Sequence, residues 1–100
     1  MPETRKVYKQ ISAADTFTDV LSVQGDKFSI SVYLSATAWG TTIITLQKRH
    51  ADFDTWRDVQ TFTADFEGIG DNGDNAEYRI GIKLGEYNTG TFQLRLGAGF

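Results

Sequence analysis

Base-assisted nucleophilic catalysis would have to be built from one imidazole, His50, and five serines: Ser12, Ser22, Ser29, Ser31 and Ser35. The chain has no cysteine. None of these serines sits in a Gly-x-Ser-x-Gly elbow, and Ser29 and Ser31 alternate with apolar residues, which places them on the outside of a strand. A triad needs nucleophile, base and orienting acid brought together. His50, beside Lys48 and Arg49, reads instead as a solvated residue at a strand end. Carboxylates are more plentiful: Asp52, Asp54, Asp58, Asp65, Glu67, Asp71, Asp74 and Glu77 fall in one stretch with only Arg57 opposing them. Glycoside hydrolysis needs two acids facing across a cleft. Acids in turns more often accept local backbone hydrogen bonds. The chain is therefore expected to be non-enzymatic.

The same acids invite calcium. An EF-hand loop requires oxygen ligands at positions one, three and five, glycine at six and Glu at twelve. Counted from Asp71, position three is Gly73; counted from Asp65, position five is Ile69. Both frames fail, so no metal or other cofactor is expected and residues 65–77 read as a polar, flexible loop. An irregular calcium loop of Asp65, Glu67, Asp71 and Asp74 is the alternative. The segment Lys48–Trp56 resembles a shortened Asp-box hairpin in Asp52, Thr55 and Trp56, a structural motif in which the Asp caps the turn and the Trp packs beneath it.

Recognition chemistry has two further sources. Arg5, Lys6 and Lys9, with Val7 and Tyr8 between them, form a cationic N-terminal segment that reads as an arm ordering on a partner or as an edge strand of the same domain. Trp39 beside Gly40, Tyr87 in Gly85-Glu86-Tyr87-Asn88, and the terminal Phe100 are aromatic groups able to stack on a sugar or fill a partner pocket. Packing at the ends of the fold accounts for them equally well.

The elements that must position these groups are strands. Phe28, Ile30, Val32 and Leu34 alternate with polar residues over Lys27–Leu34, and Tyr78, Ile80 and Ile82 do so over 76–83. Phe92, Leu94 and Leu96 repeat the pattern. Thr41–Arg49 places Ile44 and Leu46 inward. Trp56 and Val59 are three apart within the next strand, which requires a bulge or turn. Arg5–Ile11 and Phe17–Val23 are shorter candidates. Strands at spacings near ten residues, with no helical stripe, predict a single all-β domain: an antiparallel β-sandwich, jelly-roll or immunoglobulin-like, of about seven to eight strands over residues 11–100, with residues 1–10 as the arm or edge strand.

One hundred residues suffice for one domain with a modest core. No apolar run approaches the ~20 residues of a membrane helix, and Met1-Pro2-Glu3-Thr4 does not read as a signal peptide. A net charge of −3 argues against a nucleic-acid footprint.

From Ile44 onward the sequence resembles a family of small tailed-phage and prophage proteins. The resemblance lies in Ile44-Thr45-Leu46-Gln47-Lys48-Arg49, Trp56-Arg57-Asp58-Val59 with Thr61-Phe62-Thr63, Glu77-Tyr78-Arg79-Ile80-Gly81-Ile82-Lys83, Gly85-Glu86-Tyr87-Asn88-Thr89-Gly90-Thr91 and Leu94-Arg95-Leu96. It implies one β-sandwich and a structural role in the virion: a capsid decoration or cement protein bound to the major capsid protein, and a homo-oligomer, with a trimer one form. A tail or head-tail component is the second reading. A carbohydrate-binding module using Trp39, Tyr87 and a loop calcium is the third.

Overall fold

A computed structural model describes residues 5–23, 27–34, 39–50, 54–71 and 76–98. The described residues form nine strands: β1 (Arg5–Ile11), β2 (Thr16–Phe17), β3 (Leu21–Val23), β4 (Lys27–Leu34), β5 (Ile44–Arg49), β6 (Arg57–Phe62), β7 (Phe66–Asp71), β8 (Ala76–Ile82) and β9 (Phe92–Ala98). A four-stranded sheet runs β1-β9-β4-β7, and a five-stranded sheet runs β2-β8-β5-β6 with β3 also on β8. Every pairing is antiparallel. The two layers form a β-sandwich.

Alternation dictates which face of each strand is buried. Phe28, Ile30 and Val32 of β4 and Phe92, Leu94 and Leu96 of β9 meet Ile44 and Leu46 of β5 and Tyr78, Ile80 and Ile82 of β8 in the interior. The Phe28 and Tyr78 rings approach to 4.3 Å between centroids. Each such side chain contributes about 1.5–3 kcal/mol on burial. At one end of the core the buried Thr42 hydroxyl accepts from the backbone N–H of Asn88 and Thr89, tying the β8–β9 connection down.

Three places depart from the sequence reading. Phe17–Val23 is two strands, because the Thr18 hydroxyl accepts from the Ile80 N–H where a continuous ladder would use a backbone carbonyl. Asp19 and Val20 then stand against Arg79 alone, and the register shifts before β3. Residues 66–71, expected as loop, are the edge strand β7. Its inner face carries Phe66, Gly68 and Gly70; the Phe66 ring covers Gly68 and the Phe28 ring covers Gly70, so a side chain there would collide with them. The strand has almost no apolar alternation to read. Third, Trp56 lies just before β6 and turns outward rather than into the core. A bulge does occur in β6, at Val59, which is exposed: Leu46 pairs with Gln60 and Gln47 with Asp58, leaving Val59 unpaired.

Candidate functional site

The two outward faces of the sandwich carry most of the polar chemistry. On the five-stranded sheet these groups satisfy one another. The Arg79 guanidinium lies 4.1 Å from the Phe17 ring centroid and 4.5 Å from that of Trp56, and Arg49 stacks on Trp56 at 4.4 Å. Arg79 Nε donates to Gln47 (2.8 Å), Gln47 Nε2 donates to Asp58 (3.0 Å), and Lys83 Nζ donates to Asp58 (2.6 Å). Arg49 Nε pairs with Glu77 at 2.7 Å. The bonds from Gln47 and Lys83 hold the Asp58 carboxyl below its ordinary range, and the Asp58 bond raises Lys83. Burial, then the neighbouring Arg49, lowers Arg79, which as a guanidinium stays charged.

The turn leading to Trp56 is capped by Asp54, which accepts from the His50 and Thr55 N–H groups and from Arg57. The His50 bond is the main reason that its carboxyl is depressed. Asp52, which the Asp-box likeness singled out, lies outside the described residues.

The outer face of the four-stranded sheet is built differently. Register sets Tyr8 opposite Arg95, Arg95 opposite Ser31 and Ser31 opposite Glu67, one row across β1, β9, β4 and β7. The adjoining row sets Gln93 beside Tyr33. These six side chains line a depression of about 270 Å³. Glu67 Oε1 accepts from the Tyr33 hydroxyl at 2.6 Å and the Ser31 hydroxyl at 2.8 Å. Those two bonds hold the Glu67 carboxyl below its ordinary range, and the bond to Glu67 raises the Tyr33 phenol. The Arg95 and Gln93 side chains make no hydrogen bond or ion pair among the described residues. Tyr8 is 58% exposed and Tyr33 43%. The site is a carboxylate fixed by two hydroxyls, a guanidinium that acts on it electrostatically but makes no hydrogen bond or ion pair among the described residues, an unbonded amide, and tyrosine rings at the rim. Such a set binds polar ligands by hydrogen bonds from both donors and acceptors.

The residues expected from sequence are scattered. Arg5–Lys9 belong to β1, hydrogen-bonded along β9; of them only Tyr8 reaches the depression, while Lys6 and Lys9 are exposed on the edge strand. Trp39 and Tyr87 are half-buried against the core. The Trp39 ring meets Phe92 at 4.7 Å and its indole N–H donates to Asp65, while the Tyr87 hydroxyl donates to the Gly90 carbonyl. They do not form a common platform with Tyr8. Phe100 lies outside the described residues. Of the loop acids, Asp65 accepts from the Leu34 N–H and Trp39, and Glu67 faces outward from β7, so the two serve different partners. No cluster of metal-ligating side chains occurs among the described residues.

Tyr33, Ser31, Glu67, Gln93 and Arg95 went unnoticed as a group in the sequence. The signal available was their alternation with core residues, which gives a face but not which strands adjoin.

The fold is thus an antiparallel β-sandwich with one outer face whose charged groups pair with one another and one outer face that is open. Comparison of the chain with protein-family models, with curated proteins and with solved structures found no match.

Proposed function

We propose that the protein is a non-enzymatic virion structural protein whose working surface is the outer face of the four-stranded sheet. The observation carrying the binding half of this reading is the row in which Glu67 is fixed by two hydroxyls while Arg95 and Gln93 beside it make no hydrogen bond among the described residues. Glu67, held in advance, lowers the ordering cost of binding at that group, while Arg95 and Gln93 supply unengaged donors. The virion half is supported by the order of sequence motifs between Ile44 and Leu96 that resembles phage proteins.

In that setting the leading place is the capsid surface, as a decoration protein on the major capsid protein; a tail or head-tail position is second. Attachment uses that face together with its β1 edge, where Lys6 and Lys9 are exposed beside Arg5. Lysines on an edge discourage strand addition, so an acidic rim on the partner is the matching chemistry. Co-sedimentation with purified capsids tests this. Binding by the wild-type chain that is lost in Lys6→Glu/Lys9→Glu supports it. Failure to sediment with capsids and tails alike removes the virion reading.

A further inference from the structure

We propose that the depression on the outer face of the four-stranded sheet is a saccharide site that takes a neutral sugar of one or two pyranose rings. This rests on the reading of that face as a binding surface and names its ligand.

Charge balance selects the class. Glu67 and Arg95 face one ligand space with opposite charges. A ligand anion would meet the Glu67 carboxylate, and a ligand cation would meet the guanidinium. A neutral polyol uses both, because each hydroxyl can donate to a carboxylate and accept from a guanidinium or amide N–H. The Tyr33 and Ser31 hydroxyls both bond to Oε1 of Glu67, which leaves Oε2 without a hydrogen bond among the described residues. Arg95 offers its guanidinium donors and Gln93 an amide donor and acceptor, none engaged among the described residues.

Shape agrees with this. Ser31, the small residue between Arg95 and Glu67 in the row, is buried at the floor of the depression and leaves the space above it to its larger neighbours. Tyr8 at the rim supplies an exposed aromatic surface for the C–H face of a sugar, an apolar body with a polar tip. The volume, about 270 Å³, falls just below the ~300–1,000 Å³ of clefts that hold drug-sized ligands. That size suits one or two rings. The fixing of Glu67 in advance also spares the ligand the cost of ordering a flexible carboxylate.

The test is a protein-observed NMR titration of the full chain with methyl glucoside, methyl galactoside, methyl mannoside, N-acetylglucosamine and cellobiose, with glucuronate and glucosamine as charged analogues. At least one neutral sugar is expected to move the amides of residues 8, 31, 33, 67, 93 and 95. Arg95→Ala and Glu67→Gln are each expected to weaken that sugar by about tenfold or more while leaving distant amides in place. Tyr33→Phe, which removes one of the two bonds on Glu67, weakens it less. No response to any neutral sugar, an unchanged response in both variants, or equally tight charged analogues overturns the proposal. The failures are separable. If Arg95→Ala abolishes capsid co-sedimentation while no sugar binds, the face remains a binding surface and the saccharide falls. If Arg95→Ala alters neither, both fall.

Discussion

The two outer faces of this sandwich are made of the same kinds of residue, arginine, glutamine, acid and aromatic, and differ in whether those residues find one another. On the five-stranded sheet Arg79 is held between Phe17 and Trp56, Gln47 links it to Asp58, and Lys83 completes the chain. On the four-stranded sheet Glu67 is held, but Arg95 and Gln93 make no hydrogen bond among the described residues. The first arrangement adds stability to the sheet it covers. The second adds little, and leaves its donors unengaged among the described residues. Polar composition is alike on the two faces; the proposed binding surface rests on the charged and amide groups that find no partner.

The largest expected effect concerns β1, which borders the open face. Deleting residues 1–9 removes most of a seven-residue ladder to β9 and the half-buried Val7. It should cost about 3 kcal/mol in chemical denaturation. An unchanged midpoint would mean that β1 is a dispensable arm. On the closed face, Trp56→Ala uncovers Arg49 and Arg79 together and should cost ~1–3 kcal/mol. On the open face, Arg95→Ala should stay within ~0.5 kcal/mol of wild type by the same assay. Equal losses from the two arginine-bearing faces would erase the distinction between them.

Much of this fold was legible in the sequence, for a specific reason. β4, β8 and β9 alternate large apolar residues with polar ones because each buries one face against the opposite layer, and the inward sets Phe28-Ile30-Val32, Tyr78-Ile80-Ile82 and Phe92-Leu94-Leu96 are those found in the core. β7 was hidden because its inward positions are Phe66, Gly68 and Gly70, with neighbouring rings filling the space that its own side chains would take. Trp56 differs in another way. The sequence reading placed it within a strand, whereas it lies just before β6 and covers two guanidinium groups on the outside. The site was legible only in pieces, since Tyr8, Arg95, Ser31 and Glu67 come from four strands whose adjacency follows from sheet order, not from spacing along the chain.

Acid titration separates the faces by smaller effects. Asp54 and Asp58 on the closed side and Glu67 on the open side all have carboxyls depressed by hydrogen bonds in the folded chain. A depressed carboxyl contributes stability above its unfolded value, ~3.9 for Asp and ~4.3 for Glu, and loses it as pH falls through the folded value. The melting temperature should therefore hold from neutrality to about pH 5 and decline below it. Asp58→Asn should flatten that decline. Glu67→Gln should return the Tyr33 phenol toward its ordinary titration, since its bond to the carboxylate is the main cause of the upward shift. A phenol still raised in that variant would remove Glu67 as the cause.

Because the chain has no cysteine, a single one can be placed on either face and given a bulky maleimide label. Gln93→Cys puts the label in the open depression, and Thr61→Cys puts it on the closed sheet beside Thr45. Binding of each labelled protein to purified capsids and to the sugar panel is then compared with that of its unlabelled parent. A working surface on the four-stranded sheet requires that the label at 93 abolish binding and the label at 61 leave it intact. Binding that survives the label at 93, or is lost only with the label at 61, would contradict it.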